Sequence, residues 1–150
     1  RLGDLPDWLQ NKVVAPLLAA KILSAPPNQA IVNEYLPGQG MSSIFLPLHI
    51  TCLYMKGITP HIDNVHAFEE EVLSVSLGSP CVMEFHLKGS KDGKTLLLLE
   101  VGSVILLTGD ARYKYTHCIP NRKTDKWRGQ TIKRERRVSV TLRRAKVGKE

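Results

Sequence analysis

Arg137-Val138-Ser139-Val140-Thr141-Leu142-Arg143 alternates without a break. On an extended strand successive side chains point to opposite faces, so Val138, Val140 and Leu142 share one face and Arg137, Ser139, Thr141 and Arg143 the other. An arginine on an inward face needs an anionic partner, because a guanidinium buried alone is costly. The two arginines stand roughly 20 Å apart along such a strand, so they cannot both grip one carboxylate head-on. One suits bidentate pairing with a ligand carboxylate; the other suits the ordering of a carboxylate side chain or of a substrate.

Upstream of this strand the pattern repeats in short pieces. Strands are expected over 29–36, 71–77, 81–87, 95–99, 103–107, 112–118 and 137–143. They are separated by Pro37-Gly38-Gln39-Gly40, Gly78-Ser79-Pro80, Gly89-Ser90-Lys91-Asp92-Gly93 and Gly109-Asp110. Many short strands at ~8–12-residue spacing point to a mainly β sandwich or barrel. Ahead of them, residues 5–23 place Leu5, Trp8, Leu9, Val13, Val14, Leu17 and Leu18 at near-helical spacing, with Pro16 set to interrupt the helix. Residues 121–136 are polar and basic and read as a loop.

The chain has 150 residues, the size of one domain with a real core. Its hydrophobic fraction of 43% and charged fraction of 23% exclude disordered and collagen-like classes. No run reaches ~18 uninterrupted apolar residues, so neither a transmembrane helix nor a membrane partner is expected. Cys52, Cys81 and Cys118 form no CxxC pair, which argues for a reducing, intracellular setting, cytoplasm or nucleus. The chain starts at Arg1 rather than Met, as a trimmed fragment does. The net charge of +7 is uneven. Residues 1–110 hold seven Lys+Arg against eleven Asp+Glu; residues 111–150 hold fourteen against three. That basic end favours a polyanionic partner.

Within this frame His61-Ile62-Asp63 stands out, since residues two apart on a strand converge on one point. An imidazole and a carboxylate, completed by a second His, make the facial triad of non-haem Fe(II) sites. His117, in Tyr113-Lys114-Tyr115-Thr116-His117, is the candidate third ligand; on a strand, Tyr113, Tyr115 and His117 would share a face. His49, His66 and His86 read as structural or exposed.

As an ordered set these motifs resemble the AlkB family of Fe(II)/2-oxoglutarate dioxygenases. The elements are Asn33-Glu34-Tyr35-Leu36-Pro37-Gly38-Gln39-Gly40, His61-Ile62-Asp63, Ser76-Leu77-Gly78-Ser79, Gly109 to His117, and Arg137-x5-Arg143. The resemblance spans about 28–145 and is closest to members linked to tRNA wobble-uridine modification. It implies a double-stranded β-helix (jelly roll), a single catalytic domain over 1–150, Fe(II) held by His61, Asp63 and His117, and O2 and 2-oxoglutarate as co-substrates. Arg137 would pair with the far carboxylate of 2-oxoglutarate, Asn33 and Tyr35 would help to orient it, and Arg143 would lie near it. The implied reaction is hydroxylation or oxidative demethylation of a modified or alkylated base in RNA, tRNA favoured, or in DNA. The base would be flipped out or taken from a single strand. Lys126, Arg128, Lys133, Arg134 and Arg136 are the candidate contacts to the nucleic-acid backbone. Two further readings are a protein oxygenase and a catalytically impaired nucleic-acid-binding variant.

The last of these rests on Met41 to Gly57. In the family the segment after the Pro-Gly turn runs almost directly into the His-x-Asp strand. Here seventeen residues intervene, and joining Gly40 to Ile58 restores the expected spacing. The segment is apolar up to Lys56 and reads as an insertion, of the kind a splice variant leaves, that impairs folding or the site. His49, inside it, is not expected to be a ligand.

Overall fold

The computed structural model describes residues 4–37, 42–45, 51–54, 58–91 and 93–146, the backbone alone for 42–45 and 51–54. Gly38, Gln39 and Gly40, His49, the side chain of Cys52 and much of the 41–57 segment lie outside the described residues.

The alternating stretch forms β12 (Arg137–Ala145), inside a six-stranded sheet between β1 (Gln29–Tyr35) and β5 (Phe68–Leu77). Both pairings are antiparallel, Tyr35 lying opposite Arg137, Asn33 opposite Ser139, and Ser76 also opposite Ser139. Beyond β5 lies β8 (Val104–Leu107). Beyond β1 lie β3 (Thr51–Tyr54), parallel to it, and β2 (Ser42–Phe45), so backbone of the 41–57 segment extends this sheet. A second sheet runs β4 (Ile58–His61), β9 (Tyr115–Ile119), β6 (Cys81–Leu87) and β7 (Thr95–Leu99), all antiparallel. Val72 and Leu107 of the first sheet pack with Cys81, Met83, Phe85 and Ile119 of the second, so the two sheets face each other around a shared core.

The strict alternation of β12 has a cause on each side. Val140 and Leu142, 5% and 1% exposed, pack outward against Leu9, Val14 and Leu23 of the N-terminal helical segment. Arg137, Ser139, Thr141 and Arg143 face a cavity between the sheets. The strand is covered on both faces, one apolar and one polar.

The N-terminal helix is broken as the proline requires. It runs α1 (Asp7–Leu9), a π-helical turn (Gln10–Val14) and α2 (Ala15–Ala19), with Pro16 at the second position of α2. The wider turn just before the proline lies where a regular helix would set the ring against the carbonyl four residues back.

Three sequence expectations need correction. β5 starts at Phe68 rather than 71, and two members of its acidic run, Glu70 and Glu71, find partners. Glu70 accepts the Gly109 amide at 3.0 Å, and both Glu71 oxygens accept the Ser24 amide at 3.0 Å. The expected strand 112–118 is a short helix, α3 (Gly109–Tyr113), followed by β9. Gly109 at φ +51 turns the chain, and Lys114 pairs with Asp110 at 2.9 Å one helical turn back. Tyr113 therefore leaves the strand face it was expected to share with Tyr115 and His117. The expected loop 121–136 contains a hairpin, β10 (Thr124–Trp127) and β11 (Gln130–Lys133). Its turn, Arg128-Gly129, takes positive φ at both residues, as a two-residue hairpin turn of type I′ needs.

Candidate metal and dicarboxylate site

β4 and β9 pair so that His61 lies opposite His117, with ring centroids 4.4 Å apart. Asp63 is not on the strand with His61, as the spacing argument assumed. β4 ends at His61, and Asp63 sits in the following loop. The three side chains still converge: their ligand atoms all lie within 4.8 Å of one another, and His117 Nε2 is 3.7 Å from Asp63 Oδ2. His61 Nδ1 is 2.8 Å from the Thr59 carbonyl. That contact suits an Nδ1–H donor and leaves the Nε2 lone pair free, as histidine metal ligands require. Burial pushes the His117 imidazole down from 6.5 to about 4; the neighbouring His61 adds to the shift and Asp63 opposes it. Its ring is therefore neutral, with a lone pair available, at physiological pH.

Behind the trio lies a cavity of about 200 Å³ lined by both sheets. Arg137 enters from β12, 4% exposed, and its Nη2 donates to Ser76 Oγ at 2.9 Å. Its Nε and Nη1 are buried and, among the described residues, have no hydrogen-bond partner. A guanidinium with two buried unpaired donors is a strong demand for an anion. The Tyr35 ring lies 5.1 Å from that guanidinium, and its hydroxyl is 3.5 Å from Ser139 Oγ. Burial raises the Tyr35 pKa, against the pull of Ser139 and Arg137, so the phenol keeps its proton. Asn33 lines the same cavity with a buried Oδ1 that has no hydrogen-bond partner among the described residues.

Arg143, at the other end of the strand face, has a different task, as the length of the strand required. Its Nη1 donates to Asp63 Oδ1 at 3.1 Å, its Nε to Gln29 at 2.9 Å, and it lies 3.9 Å over the Phe68 ring. The structure thus brings His61, Asp63, His117, Asn33, Tyr35, Arg137 and Arg143 to one cavity. His66 is exposed, and His86 lies 3.6 Å from Glu84 outside this cavity.

A second group, Glu84, His86 and Cys118, also has ligand atoms within 4.8 Å of one another. Its carboxylate is already held by Lys94 at 2.8 Å and Arg122 at 3.0 Å. A divalent cation would have to displace both, and the group is better read as an ion-pair cluster.

The basic end needs one correction. Arg134, expected at a nucleic-acid surface, is buried: it donates through Nε and Nη2 to Asp125 at 2.6 and 2.7 Å and through Nη1 to the Pro120 carbonyl. Arg136 pairs with Glu34. Lys126, Arg128 and Lys133 are exposed on the hairpin. Sequence reasoning assigned no role to Arg112, which is 1% exposed and donates to the backbone beside Asp63. Its only sequence signal was its place within the Gly109–His117 motif, where a strand reading put it on no useful face.

A family model described as the 2OG-Fe(II) oxygenase superfamily matches residues 1–143. The chain is 35% identical, over 97% of its length, to an Arabidopsis thaliana protein named alkylated DNA repair protein ALKBH8 homolog, of which it covers 43%. It is 32% identical, over 96% of its length, to a Xenopus tropicalis protein named tRNA (carboxymethyluridine(34)-5-O)-methyltransferase alkbh8, of which it covers 22%. It thus spans less than half the length of either relative. Among solved structures, that of OsALKBH1 superposes with a TM-score of 0.52 at 18% identity, over 93% of this chain and 64% of the other. That likeness bears on the fold and agrees with a jelly roll.

Proposed function

This chain belongs to the 2OG-Fe(II) oxygenase superfamily, and on that basis we propose that it oxidises a modified or alkylated base in nucleic acid, tRNA favoured. The observation that carries the reading is the half-paired guanidinium of Arg137, buried in the same cavity as the His61–Asp63–His117 trio. A metal site alone would not call for it; a metal site that takes a dicarboxylate co-substrate does.

In this reading His61, Asp63 and His117 hold Fe(II), a donor set of two imidazoles and one carboxylate that fits non-haem iron. When bound, the iron with 2-oxoglutarate and O2 supplies the oxidation of a C–H bond, with succinate and CO2 as co-products. Arg137 holds the distal carboxylate, and Tyr35 and Asn33 fix its orientation. Arg143 pairs with Asp63 Oδ1 and so orders the ligand carboxylate from the co-substrate side of the site. The enclosing apolar residues Val72, Met83 and Leu107 keep water away from the reacting groups.

Nucleic acid as substrate is supported by the names of the two relatives and by the exposed Lys126, Arg128 and Lys133. A nucleic-acid substrate and free buried thiols at Cys81 and Cys118 fit an intracellular setting. Among the described residues no helix is long and apolar enough to cross a membrane. We also read 1–150 as one catalytic domain with an insertion at 41–57. Its impaired-variant alternative draws on that segment, whose backbone adds two strands beside β1.

The test is Fe(II)- and 2-oxoglutarate-dependent succinate release with tRNA and with alkylated oligonucleotides. Release that depends on the nucleic acid and vanishes in His61→Ala and Asp63→Ala is expected. No release, or release indifferent to both substitutions, would sink the proposal. Release driven by a protein substrate instead would move the reading to a protein oxygenase.

A further inference from the structure

Asp63 lies beyond the end of β4, so no ladder of backbone hydrogen bonds fixes it. The loop that carries it is closed locally by Asn64, whose Oδ1 accepts the amides of His66 at 2.9 Å and Ala67 at 3.0 Å. That closes the far side of the loop and leaves the Asp63 peptide unplaced. Arg112, from α3, takes hold of it: Nη1 donates to the Asp63 carbonyl at 2.7 Å and Nη2 to the Asn64 carbonyl at 3.3 Å. Arg143, from β12, takes the Asp63 carboxylate. One residue is thus gripped by two guanidiniums, one at its main chain and one at its side chain.

The grip through the main chain is the unusual one. Arg112 is 1% exposed, its Nε has no hydrogen-bond partner among the described residues, and neither of these two hydrogen bonds goes to a carboxylate. Burying a cation against neutral carbonyls is unfavourable compared with burying an apolar side chain of like volume. A residue needed only to fill space there would be apolar. What a guanidinium adds is a rigid planar fork that ties two successive carbonyls at a fixed spacing. α3 itself is tied in by the Gly109 amide on Glu70 of β5, so the fork is mounted on the body of the fold rather than on the loop it holds.

We propose that Arg112 is a positioning residue that sets the Asp63 main chain so that its carboxylate meets His61 and His117. The proposal rests on the metal reading of that trio given above. It assigns Arg112 an effect on metal uptake that exceeds its effect on folding. Loss of an outer partner of a metal ligand lowers affinity by about 10–100-fold.

The test uses the whole chain and Co(II) as a spectroscopic stand-in, titrated by its visible absorption without co-substrate, alongside thermal melts of the metal-free protein. Arg112→Gln is expected to bind Co(II) about 10–100-fold more weakly and to change the shape of the visible bands. Arg112→Lys, which keeps a charged donor, should recover part of the affinity. Asp125→Asn, remote from the cavity, should lower the melting temperature with Co(II) affinity unchanged. Wild-type affinity and bands in both Arg112 variants would overturn the proposal, as would loss of a cooperative melt in both. A wild-type chain that takes up no Co(II) would sink the metal reading itself, and this one with it.

Discussion

Arg137 meets its cavity with one guanidinium nitrogen on Ser76 and two that have no hydrogen-bond partner among the described residues. A charge-assisted hydrogen bond is worth about 1.5–3 kcal/mol. Arg137→Met should therefore raise the 2-oxoglutarate KM by on the order of 10–100-fold in the succinate assay and leave Co(II) uptake nearly intact. An unchanged KM would remove Arg137 from co-substrate binding. Much at this scale was legible in the sequence. The alternation of 137–143 fixed which arginines face inward, and the length of a strand forced them into separate roles. Asp63 was legible only by accident of spacing: the pleat argument expects it on the strand, whereas a loop and two arginines bring it in. Arg112 was hidden because its partners are backbone carbonyls, which carry no residue type to read.

At the level of elements, the β10–β11 hairpin shows why residues 121–136 looked like a loop. A half-buried strand announces itself by alternating apolar residues, but here a fully buried inward side chain is Asp125. It accepts from Arg134 twice, from Arg122 at 2.7 Å and from the Val82 amide of β6 at 3.0 Å. A two-stranded ribbon alone is marginal in water, so this anchor holds it to the second sheet. Asp125→Asn leaves Arg134 buried without its counter-charge and should destabilise the fold by about 3–5 kcal/mol, on the order of 10 °C in Tm. The same anchor carries a pH signature. Burial raises the Asp125 pKa, but Arg134, the Val82 amide and Arg122 outweigh it, and the net shift is below the ordinary 3.8. The unfolded chain then binds this proton more readily, so the contribution is fully present above pH 3.8 and is lost as pH falls through the lower folded value. Melts from about pH 6 to pH 2 should show that acid limb in the wild type and a shallower one in Asp125→Asn. Equal limbs would show that the anchor does not govern acid unfolding.

Across the whole molecule, charge and length each lead to a prediction. If the exposed hairpin lysines touch phosphate, each one adds about 0.7–0.9 to the slope of log K against log salt. The double variant Lys126→Ala/Lys133→Ala should weaken tRNA binding across sequences and flatten that slope by roughly twice as much; an unchanged slope would take the hairpin out of the interface. Deleting residues 41–57 tests the insertion. Higher succinate release and a higher Tm in the shortened chain are expected if the segment impairs the domain, and equal values would retire that idea. The architecture as a whole, two facing sheets with a covering helix, followed from strand spacing and helical periodicity. The pairing order did not, because nothing local in a sequence says which distant strand completes a sheet.

That order has a consequence for how the chain is made. β1 lies beside β12, Gln29 opposite Arg143, and β12 also carries β5 on its other edge. The central hydrogen-bonded ladders, and the outer core on Leu142, can close only once β12 has left the ribosome, long after β1. Until then β1 and β5 wait with open edges, the condition in which nascent chains associate wrongly or need a chaperone. Deletion of β12 would therefore split the first sheet into β2-β3-β1 and β5-β8 and take Val140 and Leu142 from beneath the N-terminal helical segment.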